Sequence, residues 1–217
     1  MTPELYQMIN HLPCVDNENI KRTVAALGIV DDLVYVDVIP DNDAILGECY
    51  PNVIRKVERS AGEVVYGWKF YEFSYMIEAE FHAIWKSPHG KFVDITPSAV
   101  PTTTKILFGI DRYKKYDGNR TDNFRLNTTD NELVDDIIDI EKAKFKFIDI
   151  AKNVDNNGVV LMTADEQEVW QLLYFFSYEV DKIFAFNGTI NSVCFCGSAN
   201  SYANCHRATV RQFLETI

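Results

Sequence analysis

The tightest constraint in this chain lies near its C-terminal end, where Cys194-Phe195-Cys196 is followed, after eight residues, by Cys205-His206. Thiolates and imidazoles are the ligands zinc prefers, and four of them close a tetrahedral shell. Gly197 and Ser198 allow the backbone to turn between the two pairs. A closed shell leaves no coordination position for water or substrate, so one structural zinc ion is expected there. So short a segment has little core of its own, which makes metal binding its folding energy. The alternative, three buried cysteines beside an unrelated histidine, leaves the ligand-like pairing of Cys-x-Cys with Cys-His unexplained.

The order Cys194, Cys196, Gly197, Ser198, Cys205, His206 resembles the SEC-C motif, the metal hook at the C-terminus of the preprotein-translocating secretion ATPase. The match is confined to residues 194–206 and is specific in order. The spacer Ala199 to Asn204 lacks the lysines usual in the motif, which in that family are linked to protein or ribosome contact. The resemblance implies a hook that stabilises the C-terminus or docks a protein partner.

The other two cysteines, Cys14 and Cys49, stand apart. Five cysteines in a chain without a basic, apolar N-terminal leader argue against a disulfide framework. The absence of such a leader over Met1 to Asn10, and of any apolar run long enough to span a bilayer, makes the cytoplasm the expected compartment. A net charge of −11 disfavours nucleic-acid backbones and anionic membranes as partners. No glycine-rich phosphate loop, dinucleotide fingerprint or calcium-loop spacing occurs.

The expected fold class is α+β. Leu33 to Ile39 is β-rich and reads as a strand. After Cys49-Tyr50-Pro51, apolar residues at 53, 54 and 57 fit a helix, with Pro51 in its first turn and Gly62 as its stop. Cys49 is thereby placed at or just before a helix N-terminus. Glu63 to Trp68, Ile77 to Trp85 and Phe92 to Thr96 read as strands, the last two as a hairpin turned by Pro88-His89-Gly90. Lys105 to Ile110 is a further strand, and the remainder reads as helical. Asn131 to Lys152 suits a long amphipathic helix, and Thr163 to Glu166 has the form of a capping box opening a helix to about residue 184. Arg207 to Glu215 suits a short terminal helix. The expected organisation is a body over 1–125, a helical region packed on it over 126–190, and the hook over 191–217.

Within the body, three residues follow a catalytic order. A helix N-terminus and an adjacent imidazole both favour a thiolate, the nucleophilic form of cysteine. Cys49 has the first, and His82 on its strand can supply the second. Asp94, on the next strand of the hairpin, can orient the imidazole and fix its tautomer. Glu78 and Glu80 share the His82 face, a costly company for a core strand. Asn52 and Asp43 are candidate polar helpers.

This chain order, helix-start Cys, strand His, next-strand Asp, resembles the papain-like and transglutaminase-like cysteine hydrolase superfamily over Leu33 to Ile110. The resemblance is one of architecture. It implies a papain-like body with a central antiparallel sheet flanked by helices, and thioester chemistry on an amide or isopeptide bond of a protein or peptide substrate. In it Cys49 is the nucleophile, His82 the general base and Asp94 the orienting group. Two rivals share the residues: an acyltransferase using the same thioester, and a non-enzymatic adaptor that recruits a partner through the zinc hook. In the last, Cys49 is a small core residue, His82 a hydrogen-bonded core histidine, and Asp94 a turn former before Pro97.

Other features have plain readings. Cys14 is expected to be structural, His89 solvated, and His11 without a visible partner. The aromatic stripe Tyr174, Phe175, Phe176, Tyr178, Phe184 and Phe186 is expected to pack against the sheet, and the acidic run from Asp130 to Glu141 to form a solvated helix face.

Overall fold

The computed structural model of the chain describes residues 12–150 and 160–217. The predicted partner-less histidine, His11, and the end of the helix expected to reach Lys152 lie outside the described residues. The described chain forms two compact units, one over residues 12–128 and the other over Thr129–Ile217.

The first unit contains α1 (Glu18–Leu27), β1 (Leu33–Val38), α2 (Cys49–Ser60), β2 (Glu63–Glu72), β3 (Met76–Lys86), β4 (Phe92–Asp94), β5 (Lys105–Ile110) and β6 (Phe124–Asn127). The fold is mixed α and β, as expected, but the sheet is neither flat nor purely antiparallel. The strand order is β2-β5-β1-β4-β3, and β2 also pairs with β3, so five strands close into a barrel. The β1–β4 pair is parallel and the other pairs antiparallel. The expectation of a central antiparallel sheet is thereby corrected. Its physical cause is β2, long enough to pair with β3 along Glu63–Glu72 on one edge and with β5 at residues 67–70 on the other.

Gly67 makes that closure possible. A side chain there would bring its Cβ to 2.1 Å from the Gly109 carbonyl oxygen and 2.6 Å from the Phe108 ring. The interior is filled by Val36, Ile84, Ile106 and Phe108. The opposite face of β3 carries Ile77, Ala79, Phe81 and Ala83, which pack with residues of α1 and α2. Both faces of β3 are therefore covered. The strand β6, read in sequence as part of a helical remainder, pairs with β3 at Met76–Ala79. Four residues are too few for a legible alternation, and a largely buried Arg125–Glu78 ion pair of 3.0 Å holds its register.

The second unit contains α3 (Glu132–Ile150), α4 (Ala164–Ala185) and α5 (Arg207–Glu215). The capping box forms: Thr163 accepts from the Glu166 backbone N–H, and Glu166 accepts from that of Thr163. Two expectations are corrected here. The acidic run is not wholly solvated, because Asp136 is 1 % exposed and accepts from both Arg207 and Arg211 of α5. Of the aromatic stripe, Phe176 packs in a helical core with Leu133, Ile137 and Val180, while Tyr174, Phe175, Tyr178 and Phe186 are exposed. A helix with few faces to bury leaves its surplus rings at the surface.

Replacing Gly67 by alanine should destabilise the first unit by about 2 kcal/mol or more, the cost of overpacking a closed interior. Chemical denaturation against the parent chain measures it. An unchanged midpoint would mean that the β2–β5 contact is not so tight.

Candidate functional site

Cys49 is the first residue of α2. The segment before that helix is held by Asn52, whose side chain accepts from the Ile45 N–H at 3.0 Å and donates to the Ile45 carbonyl at 2.8 Å. The Asn52 amide also reaches the Thr96 hydroxyl at 3.3 Å, so the helix start and the segment after β4 share one buried residue. Pro51 falls in the first turn, where no intrahelical donor is lost. Tyr50 donates its hydroxyl to the Phe81 carbonyl at 2.6 Å and fixes the helix start against β3.

β4 pairs with β3 only at Trp85 and Lys86, and β6 only at Met76–Ala79. Between them residues 80–84 have no ladder partner on that edge among the described residues. His82 sits in this gap, in register with Gly67 on its other side. Its Nε2 lies 3.2 Å from Asp94 Oδ2, close but not aligned as a hydrogen bond. Asp94 Oδ1 accepts from the Thr96 backbone N–H at 3.0 Å. His82 is 3 % exposed, Asp94 1 % and Cys49 5 %.

The electrostatics link all three. Burial pulls the His82 pKa down, but the Asp94 carboxylate, with a smaller contribution from nearby Cys49, outweighs burial and raises it to about 10. For Asp94, burial pushes the carboxyl up, while His82 and then Lys69 bring it below the ordinary carboxylate range. The structure thus brings Cys49, His82 and Asp94 into one buried cluster. Asn52 belongs to its support. Asp43 does not, since its carboxylate takes Arg59 at 2.6 Å on the surface. Cys14 and His89 are exposed and stand outside it, Cys14 against the expectation of a structural role.

Sequence reading missed Lys69. Its ammonium lies 4.0 Å from Asp94 Oδ2, and the residue is 6 % exposed. The signal was the alternation of β2: Val65, Gly67 and Lys69 share the inward face, so a cation was aimed into the barrel.

The second cluster is the hook. The ligand atoms of Cys194, Cys196, Cys205 and His206 all lie within 4.8 Å of one another. Cys194 Sγ is 3.3 Å from His206 Nδ1, Cys205 Sγ is 3.2 Å from the same nitrogen, and Cys196 Sγ is 3.6 Å from Cys205 Sγ. Tetrahedral ligands at zinc bond lengths stand about 3.5 Å apart, so the residues fit a zinc-sized ion. The loop between the pairs closes through a bridge of Val193 with Ser201 and a bond from the Cys194 N–H to the Asn200 carbonyl. Gly197, at φ 77°, makes the turn. The Ser198 hydroxyl, and then its backbone N–H, bring the Cys196 thiol down to about 6, while burial raises that of Cys194. Cys194 and Tyr202 are buried with Leu133, Phe176 and Val210, so the hook is part of the core of the helical unit.

No protein-family model, no curated protein and no solved structure matches the chain. Among the described residues, no helix is long and apolar enough to cross a membrane.

Metal analysis of the protein as purified should give about one zinc per chain, as a single four-ligand shell requires. Cys205→Ser should lose it. Retention of the metal by that variant would overturn the ligand set.

Proposed function

We propose that the first unit is a cysteine-nucleophile hydrolase and that the hook holds a structural zinc ion of the SEC-C kind. The observation that carries the reading is that three buried residues from α2, β3 and β4 come together, with Asp94 3.2 Å from His82 and Cys49 packed against Ala83, Val93 and Ile95, their chain neighbours. The likeness to papain-like and transglutaminase-like enzymes lies in these roles and in a cysteine at a helix start.

In the reaction, the Cys49 thiolate attacks the carbonyl carbon of an amide. The carbon–nitrogen bond breaks, and His82 gives its proton to the departing amine. Cys49 is left as a thioester. Water then attacks that carbonyl carbon, His82 takes the proton, and the acid leaves as the carbon–sulfur bond breaks. The backbone N–H groups opening α2 are the natural donors to the transient oxyanion. Asp94 orients the imidazole and stabilises its charged form. The substrate is a protein or peptide. Zinc, with no open coordination site, serves only to fold the C-terminal segment.

One observation favours a non-enzymatic reading instead. Cys49 is 5 % exposed, as an inert core cysteine would be. Alkylation separates the two. At pH 6 to 7, iodoacetamide should modify Cys49 faster than the exposed thiol of Cys14, and His82→Ala should slow it at least tenfold by removing the imidazolium. Modification no faster than Cys14, or indifferent to His82→Ala, sinks the nucleophile.

The pair also sets a pH dependence of stability. The folded His82 pKa stands above the unfolded value, so its contribution is complete below about 6.5 and is lost as pH rises toward 10. Asp94 has the opposite sense: its contribution holds above the ordinary carboxylate range and is lost as pH falls through the lower folded value. Wild-type stability should therefore fall between pH 7 and 10 more steeply than that of His82→Gln. Parallel curves from denaturant titrations would contradict the charged pair.

A further inference from the structure

The mouth of the barrel, where β2 ends and β5 begins, contains a cavity of about 220 Å³. Its lining includes the apolar Leu12, Val100 and Ile106 and the hydroxyl-bearing Thr103 and Thr104. Lys69 also lines it. None of Cys49, His82 or Asp94 does, so this cavity is not the one the proposed chemistry uses.

Lys69 is the unusual member. An ammonium has three donors and no acceptor. Buried donors are almost always hydrogen-bonded, because leaving one unmade costs free energy. Among the described residues the Lys69 ammonium makes no hydrogen bond. Its contacts are the 4.0 Å approach to Asp94 and a position 5.1 Å over the Tyr71 ring. Glu80 is its cross-strand neighbour, but the Tyr71 hydroxyl already bonds that carboxylate, at 2.7 Å. A 6 % exposed cation with unused donors thus borders an open cavity.

We infer that this cavity is a binding site for a small ligand bearing a carboxylate, held by the Lys69 ammonium with its short apolar part against Leu12, Val100 and Ile106. A carboxylate supplies the acceptors that Lys69 lacks, in charge-assisted bonds stronger than a neutral amide can offer. It also extends the alternation of charge that runs through Lys69, Asp94 and His82. The mouths of β-barrels are favoured places for such sites. The second ammonium of the lining, Lys105, is occupied by Asp37 at 2.9 Å, which leaves Lys69 as the anchor. The site stands on Lys69 and not on the reactivity of Cys49.

The test is calorimetric titration of the full chain carrying Cys49→Ala with N-acetyl-L-alanine and, separately, with its carboxamide. The background substitution keeps the result independent of the hydrolase reading. The acid should bind, with the amide at least tenfold weaker, about the loss of one charge-assisted bond. Lys69→Gln should reduce binding of the acid to the level of the amide. Thr103→Phe should abolish binding by filling the cavity with a lining side chain; it leaves Lys69 in place and serves if Lys69→Gln does not fold. Equal binding of acid and amide, no binding of the acid at millimolar concentration, or undiminished binding by Thr103→Phe would overturn the site.

Discussion

The first unit depends on β2 being bonded along both edges. A strand with one free edge leaves an open sheet, and an open sheet has no inside. Because β2 reaches both β3 and β5, the inward faces of five strands become a common interior. That interior is mostly apolar: Val36, Ile84, Ile106 and Phe108. Charged groups on the same faces are then forced into close company, since an isolated buried charge costs far more than a paired one. His82, Asp94 and Lys69 meet because closure leaves them no alternative.

The second unit solves a different problem. Its hook segment is short, yet Cys194 and Tyr202 are buried in the same core as α3 and α4. The candidate ligand set and the helical core therefore share residues. Directly after His206, Arg207 opens α5 and donates to Asp136 at 2.9 Å and Glu132 at 2.8 Å, and Arg211 adds a bond to Asp136 at 2.7 Å. The ligand segment is anchored at one end by packing and at the other by a buried carboxylate with two guanidinium partners. Removing one partner of such a group is costly because the other charge stays buried. The hook and α5 are thus held in one packed core.

Much of this was legible in the chain. Cys-x-Cys and Cys-His are local signals, and local signals survive without tertiary knowledge. The helix starts at Cys49 and Ala164 were marked by Pro51 and by the Thr163–Glu166 box, which report on a single turn of backbone. Asp94 beside His82 followed from a hairpin that Pro88-His89-Gly90 announced. What escaped was long-range. Closure rests on pairing between residues far apart, such as Gly67 with Ile110, and no window of sequence contains it. Asp136 read as solvated because Arg207 lies 71 positions away. Lys69 drew no reading because its meaning depends on which face becomes the interior.

The order of charges inside the barrel gives these misses a common sense. Lys69 is positive, Asp94 negative and His82, with its pKa raised to about 10, positive at neutral pH. Each charge then has an opposite neighbour, which is the arrangement in which burial costs least. Neutralising His82 leaves Asp94 with one cation at 4.0 Å in place of two. Burial by itself disfavours the ionised imidazole; it is the Asp94 carboxylate that outweighs burial and keeps His82 charged. In a site so closed, exposure alone is a poor guide to reactivity; the sign of the neighbouring charge decides whether the cysteine is a core residue or a nucleophile.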